Sequence, residues 1–272
     1  MRYKTYSNEI IFDVINEINK GESKKYISEK YNISRGTIYY WLKNPNKKTK
    51  LINIDDIFIN INKQSYSYIL GVYLGDGYID KISRTYRLRI ALDSRQDLVI
   101  KDCIKHLSIL FPDNKINFNK VKNTNLCNIS IHSNLLPIIF PHLGKGKKHE
   151  RDIILTEQQI LNINSNYLMK GLFHTDGSFY IAINKYPRYQ FTNMSKDIIN
   201  MFNDCLLNVG ITAKIIQRKN GIYNILIQNK KNVKILYYIL GEKYINKVFD
   251  KSLFDNINLS KTLRKTVPSY KS

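Results

Sequence analysis

The chain has 272 residues, 43% of them apolar, which is ample for a packed core in two modest domains or one domain with a small module. Its 43 lysines and arginines against 22 acids give a formal charge of +21, and with 20 tyrosines and 11 phenylalanines among them the expected partner is a polyanion, nucleic acid first. No apolar run is long enough to span a bilayer, no signal-peptide pattern opens the chain, and Cys103, Cys127 and Cys205 have no disulfide or metal-site spacing, so the expectation is a soluble, intracellular protein of cytoplasm or organelle matrix, with no membrane partner.

Residues 1–43 form the first expected module. Ile10, Ile11, Val14, Ile15 and Ile18 recur at helical spacing between Ser7 and Lys20, and Gly21 stops them. Ser23 is placed to cap a second helix through about Tyr31, with Tyr26, Ile27 and Tyr31 turned inward. Asn32-Ile33 is a tight turn, and Ser34 caps a third helix from Arg35 to Leu42. This pattern resembles a helix-turn-helix of the resolvase or transposase type. The resemblance implies that Arg35, Thr37, Tyr39 and Tyr40 face the DNA groove, that Ile38 and Trp41 pack inside, and that Lys24, Lys25 and Lys43 touch phosphates. Residues 44–64 are the expected linker: Asn44 to Lys50 is polar, basic and broken by Pro45, and Leu51 to Gln64 shows no clean period.

A repeat organises the rest. Ser65-Tyr66-Ser67-Tyr68-Ile69-Leu70-Gly71-Val72-Tyr73-Leu74-Gly75-Asp76-Gly77 returns as Ser165-Asn166-Tyr167-Leu168-Met169-Lys170-Gly171-Leu172-Phe173-His174-Thr175-Asp176-Gly177, at an offset of 100 and without a gap. Each copy reads as a buried helix, with serine as N-cap, glycine free to take φ > 0 as C-cap, and an aspartate carried at the end. Small residues four apart, Gly71 and Gly75 in one copy and Gly171 and Thr175 in the other, leave one side of each helix without bulk. Packed in parallel along those sides, the helices would bring Asp76 next to Asp176. Two carboxylates at two negative helix ends repel unless a cation lies between them, and magnesium (or manganese) is the hard cation suited to oxygen ligands.

After Gly77 the first half-domain, 65–150, continues with strands at Tyr78–Ile82 and Tyr86–Leu92. Their alternation puts Arg87 and Arg89 on one face and Leu88 and Ile90 on the other. A helix from about Arg95 to Leu110, strands at Lys115–Val121 and Leu126–His132, and a helix at Leu135–Phe140 follow. The second half-domain, 151–257, runs through the same series: strands at Ser178–Asn184 and Arg188–Thr192, a helix over Lys196–Asn208, strands at Ala213–Arg218 and Tyr223–Gln228, and a helix at Val233–Leu240. Arg188 and Arg218 are its candidate DNA contacts. Both halves are αββαββα, so the fold class is α+β, with a small all-α module in front and a basic tail, 258–272, behind.

Ile69 to Gly77 and Met169 to Gly177 resemble the two motifs of a single-chain LAGLIDADG homing endonuclease. The resemblance covers roughly residues 65 to 250. It implies two pseudo-symmetric half-domains with antiparallel, saddle-shaped sheets whose basic face lies along the major groove, a motif-helix interface at Gly71, Gly75, Gly171 and Thr175, and Asp76 and Asp176 as metal ligands in the minor groove. The implied activity is metal-dependent hydrolysis of one phosphodiester per strand, giving a staggered cut in double-stranded DNA by a monomer on a long pseudo-palindromic or asymmetric target. Such a protein is free-standing or intron-encoded, with intron homing as its role. The family's motif usually has an acid at its sixth position; here stand Leu74 and His174, and His174 is read as a packed interface histidine. Family members also place a lysine near the active centre. The matching region here is Gly144-Lys145-Gly146-Lys147-Lys148-His149-Glu150-Arg151, with Lys147 or Lys148 the candidate, while the second-half stretch Gly241 to Lys247 fits that place poorly. Asp93 and Asn193, again 100 apart, are candidates for positioning water, and a helix-capping role explains them equally well. The alternative from another class is a transcription regulator or RNA maturase that keeps the scaffold without cleaving. Retention of both Asp76 and Asp176 speaks against it, because a pure binder has no use for paired carboxylates facing phosphate.

Overall fold

The computed structural model describes Tyr6, residues 8–44, 54–141, 150–182 and 186–243, and Phe254. The chain divides into two units, Met1–Ile59 and Asn60–Ser272, and the boundary falls inside the segment expected to be a linker.

The first unit contains α1 (Asn8–Asn19), α2 (Lys24–Lys30), α3 (Arg35–Lys43) and α4 (Ile54–Ile59). Val14, Ile27, Ile33, Ile38 and Trp41 form its core, flanked by Ile10, Ile11, Ile15 and Ile18 of α1. The expected caps are present: Ser23 Oγ accepts from the Tyr26 amide and Ser34 Oγ from the Thr37 amide, and Asn32 turns the chain between α2 and α3 with a φ of 52°. Tyr26 departs from expectation, being half exposed beneath the Lys30 ammonium. A seven-residue helix has one narrow apolar stripe, and here Ile27 occupies it. Helix α4 occupies part of the segment whose sequence shows no period.

The second unit runs α5 (Lys63–Asp76), β1 (Gly77–Ile82), β2 (Thr85–Asp93), α6 (Asp97–Leu110), β3 (Asn117–Lys120), β4 (Leu126–His132), α7 (Leu136–Ile139), α8 (Glu157–Leu161), α9 (Ser165–Asp176), β5 (Gly177–Ile181), β6 (Pro187–Asn193), α10 (Lys196–Asn208), β7 (Ile215–Gln217), β8 (Tyr223–Ile227) and α11 (Lys230–Leu240). The two four-stranded sheets, β1-β2-β4-β3 and β5-β6-β8-β7, are antiparallel throughout and share one topology. This is the expected α+β fold, each half reading αββαββα. Helix α8, set by a capping box between Thr156 and Gln159, is an addition ahead of the second half. Among the described residues no helix is long and apolar enough to cross a membrane.

Helices α5 and α9 lie against each other in parallel, closely enough that a Cβ on Gly71 would stand 2.6 Å from Leu168 O and 2.7 Å from Leu172 N. A Cβ on Gly171 would strike Tyr68 O, and one on Gly75 would strike the Thr175 side chain. Two details of the motif differ from expectation. The N-caps are Asn62, accepting from the Ser65 amide, and Asn164, accepting from the Tyr167 amide, so α5 starts two residues before its serine and α9 starts at its serine. Ser65 is thereby freed, and its hydroxyl meets His106 Nδ1 at 3.0 Å in the interior. Gly77 and Gly177 are also not left-handed: their φ values are −89° and −88°. Space selects glycine there, since a Cβ would enter Tyr73 or Phe173 one turn back.

The repeat does not hold a constant offset. Gly77 pairs with Ile90 and Gly177 with Phe191, so the second strands correspond at an offset of 101, because the second hairpin is one residue longer. Parity decides which face a strand residue occupies, so equal numbering offsets in β2 and β6 mark opposite faces.

Replacing Gly71 or Gly171 by alanine forces the motif helices apart. Each variant should lose about 1–3 kcal/mol of the second unit's stability in urea unfolding, as overpacked cores do. Gly36→Ala is the control, since its Cβ would meet nothing closer than 3.9 Å; it should leave stability level or higher.

Candidate active site

Because Gly75 and Thr175 touch, the next residue of each helix, Asp76 and Asp176, leaves the interface at the same level. Asp76 is exposed and Asp176 half-buried. Asn193, the last residue of β6, donates from Nδ2 to Asp176 Oδ2 at 3.0 Å. Its own Oδ1 accepts from the Ser195 amide at 2.7 Å, in the turn that Ser195 then caps into α10. The asparagine is therefore held from behind while it holds the carboxylate in front. An open cleft of about 440 Å³ lies here, lined by Leu74 and Gly75 of the first half and by Asp176, Thr192, Asn193, Met194, Ile198 and Ile222 of the second.

Lys243 reaches the same place. Helix α11 ends at Leu240, Gly241 reverses the chain with a φ of 69°, and the Lys243 ammonium donates to Gly177 O at 2.6 Å while lying 5.0 Å over the Phe173 ring. Burial pushes its pKa down to about 8, against the opposing pull of the Asp76 and Asp176 charges. The stretch Gly241 to Lys247, judged from sequence to fit poorly, thus brings one lysine, Lys243, to the end of α9. The available signal was Leu240-Gly241, which repeats Leu143-Gly144 after the last helix of each half. Lys147 and Lys148 lie outside the described residues.

The other candidates are placed as follows. Asp93 is bound by Arg95, whose guanidinium makes bonds of 3.0 and 2.6 Å to its two oxygens. The counterpart of Asn193 in the first half is Leu92, which is 1% exposed, so Asp93 and Asn193 are not equivalent despite their spacing. On the open face of the first sheet Arg87 makes a two-pronged pair with Asp80, and Arg89 lies over the Tyr78 ring at 6.0 Å; Leu88 and Ile90 are buried, as the alternation predicts. On the second sheet Arg188 stands opposite Tyr180, and Arg218 follows β7 in a turn. In the first unit Tyr39 and Tyr40 are 50% and 52% exposed, and the Lys24 and Lys43 ammonium groups lie 5.3 and 5.0 Å from the Tyr39 ring. Arg35 and Lys25 are exposed, and the Thr37 hydroxyl is engaged by Ser34 Oγ at 2.8 Å. His174 is buried, its imidazole shared between Tyr68 and Leu240, and desolvation holds it well below the usual histidine pKa.

Asp76 and Asp176 are hard oxygen donors at the ends of two negative dipoles, which fits a divalent cation of the magnesium type. Among the described residues no group of three or more His, Cys, Asp or Glu forms a closed cage. Two carboxylates suffice where substrate phosphate and water complete the shell.

A duplicated α+β scaffold with an acid at each motif-helix end defines the class. Residues 164–241, from the N-cap of α9 to the C-cap of α11, match the family of LAGLIDADG-like domains. Among solved structures the chain is similar to I-DmoI in complex with DNA and Mn, at 19% identity over 66% of this chain and 98% of that one, with a TM-score of 0.45. I-DmoI in complex with DNA and Ca gives 19% identity over 66% and 91%, with a TM-score of 0.42. Full-length DUF199/WhiA from Thermatoga maritima gives 14% identity over 80% and 66%, with a TM-score of 0.46. No curated protein sequence matches.

The depressed pKa of Lys243 has a direction that unfolding can read. Between about pH 8 and its ordinary value of 10.5 the unfolded chain holds a proton that the folded chain has released, so this lysine makes stability rise with pH in that window. Below pH 8 both states are protonated and the cost of the buried charge is fully present. Lys243→Met removes both effects: in urea unfolding the variant should gain on the wild type at pH 7, and the wild type should recover the difference toward pH 10.

Proposed function

We infer that the protein is a site-specific, metal-dependent double-strand DNA endonuclease that makes a staggered cut. The observation that carries this reading is the convergence of Asp76, Asp176 and the Lys243 ammonium on the end of the α5–α9 interface. Asp76 and Asp176 would hold Mg2+ or Mn2+. When bound, such a cation polarises the phosphoryl oxygens and lowers the pKa of water. The chain's own groups supply the rest. Asn193 fixes the orientation of the Asp176 carboxylate, so that its position does not depend on the substrate. Lys243, whose pKa burial lowers to about 8, sets a positive charge beside the phosphate and can pass a proton to the departing ester oxygen as the phosphorus takes on water. Arg87 and Arg89 on the first sheet, with Arg188 and Arg218 on the second half, supply charge along a long duplex target. In the first unit the exposed Arg35, Tyr39 and Tyr40, with Thr37, form a groove-facing helix, with Lys24, Lys25 and Lys43 on phosphates. The protein acts as a monomer, because one chain contains both repeats.

That first unit is also the observation favouring a second reading, a DNA-binding regulator that does not cleave. One experiment separates the two. Incubation with a randomised pool of duplexes and magnesium should yield broken molecules sharing a common sequence, and Asp76→Asn or Asp176→Asn should lower cleavage by at least about 100-fold while leaving binding in place. Binding without metal-dependent nicking in the wild type would favour the regulator. In either case affinity should fall steeply between 50 and 200 mM salt, by about 10³-fold or more if six phosphates are neutralised.

A further inference from the structure

The sixth position of each motif is filled differently. In α5 it is Leu74, apolar and 2% exposed; in α9 it is His174, polar and 1% exposed. Burying an unpaired polar group costs about 1–3 kcal/mol, yet both imidazole nitrogens of His174 are matched by groups from different elements. Nε2 lies 3.0 Å from Leu240 O, at the end of α11, and Nδ1 lies 2.8 Å from the Tyr68 hydroxyl of α5. A carbonyl only accepts, so Nε2 carries the proton and Nδ1 accepts from the tyrosine.

Leu240 O belongs to the last turn of α11, whose carbonyls have no partner within the helix. Three residues further on is Lys243. Between them Gly241 makes the reversal, and Glu242 accepts from the Tyr237 hydroxyl at 2.6 Å. The path from anchored carbonyl to ammonium is too short to absorb a shift of the helix end. At its far end the lysine returns to α9 itself, at Gly177 O and the Phe173 ring.

Building on the reading of Lys243 as part of the cleavage site, we propose that His174 is a positioning residue: its Nε2–H, steadied by Tyr68 across the two halves, pins the end of α11 and so sets the Lys243 ammonium beside Asp76 and Asp176. The histidine touches neither substrate nor cation. It acts through the backbone that carries the lysine.

Three variants of the full chain test this. His174→Gln places an amide N–H near the position of Nε2 and keeps the bond to Leu240 O; His174→Asn is too short to reach it; His174→Leu removes the polar group. Metal-dependent cleavage should fall by about 10–100-fold in the Asn and Leu variants, the size of effect expected of a misplaced group, and stay within about threefold of wild type in the Gln variant. Target affinity should change by less than about threefold in all three. The second readout needs no cleavage. An amine-acylating reagent near pH 8, followed by peptide mass spectrometry, reads the labelling rate of Lys243 relative to the other lysines of the same sample. The Asn and Leu variants should shift its relative rate at least about threefold, and the Gln variant should keep it. If the wild type does not cleave, the endonuclease reading fails, and acylation alone then decides the positioning role. Asn behaving like Gln in acylation, or Leu leaving the Lys243 rate at its wild-type value, would overturn it. Should the Leu variant fail to fold, the Asn and Gln pair still decides.

Discussion

Two helix backbones in van der Waals contact are the constraint on which the second unit depends. At Gly71 and Gly171 the opposing main chain stands where a side chain would begin, and at Gly75 it is Thr175 that fills the space. This contact runs along both helices and holds them in parallel, so their C-termini emerge together. The acids at those ends are therefore neighbours as a consequence of packing: what makes the seam also makes the site. Leu70, Val72, Leu168 and Leu172 are buried along it, the buried Tyr68–His174 bond joins the two helices, and Ser65 of α5 pairs with His106 of α6.

The two halves are alike in topology and unlike in chemistry. One extra residue in the β5–β6 hairpin shifts β6 by one place relative to β2, and a one-residue shift exchanges the faces of a strand. The position that carries Asn193 beside Asp176 therefore carries buried Leu92 in the first half, and Asp93 turns away to Arg95. The motif's sixth position is unequal too, polar in α9 and apolar in α5. The common scaffold has thus kept the elements that must pack against their pseudo-symmetric copies while the polar groups around each acid have become individual.

Charge is distributed according to the same logic. The arginines of the first sheet's open face are tied down, Arg87 by Asp80 and Arg89 against Tyr78. In the first unit Lys24 and Lys43 gather over Tyr39, combining cation and exposed aromatic on one helix face.

What the sequence determined by itself was whatever depends on local order. The period of the apolar residues placed nearly every helix and strand, the repeat at offset 100 named the seam and both acids, and Ser23, Ser34 and Gly21 marked the ends of their helices, because caps and turns are made by neighbours in the chain. Gly71 and Gly171 were legible as small residues at helical spacing, though their necessity is visible only in the distances. What the tertiary structure alone decided involves residues that meet from far apart. Ser65 and Ser165 look like caps, but Asn62 and Asn164 are nearer the true helix starts. Gly77 and Gly177 look like left-handed turns, but the ring or backbone one turn back is what excludes a side chain. Asp93 and Asn193 share a spacing and not a face, since hydrogen-bond register, and not numbering, pairs strands. Lys243 stands 66 residues after Gly177 in the chain and bonds to its carbonyl, a contact with no local pattern, made only once α11 has packed against α9.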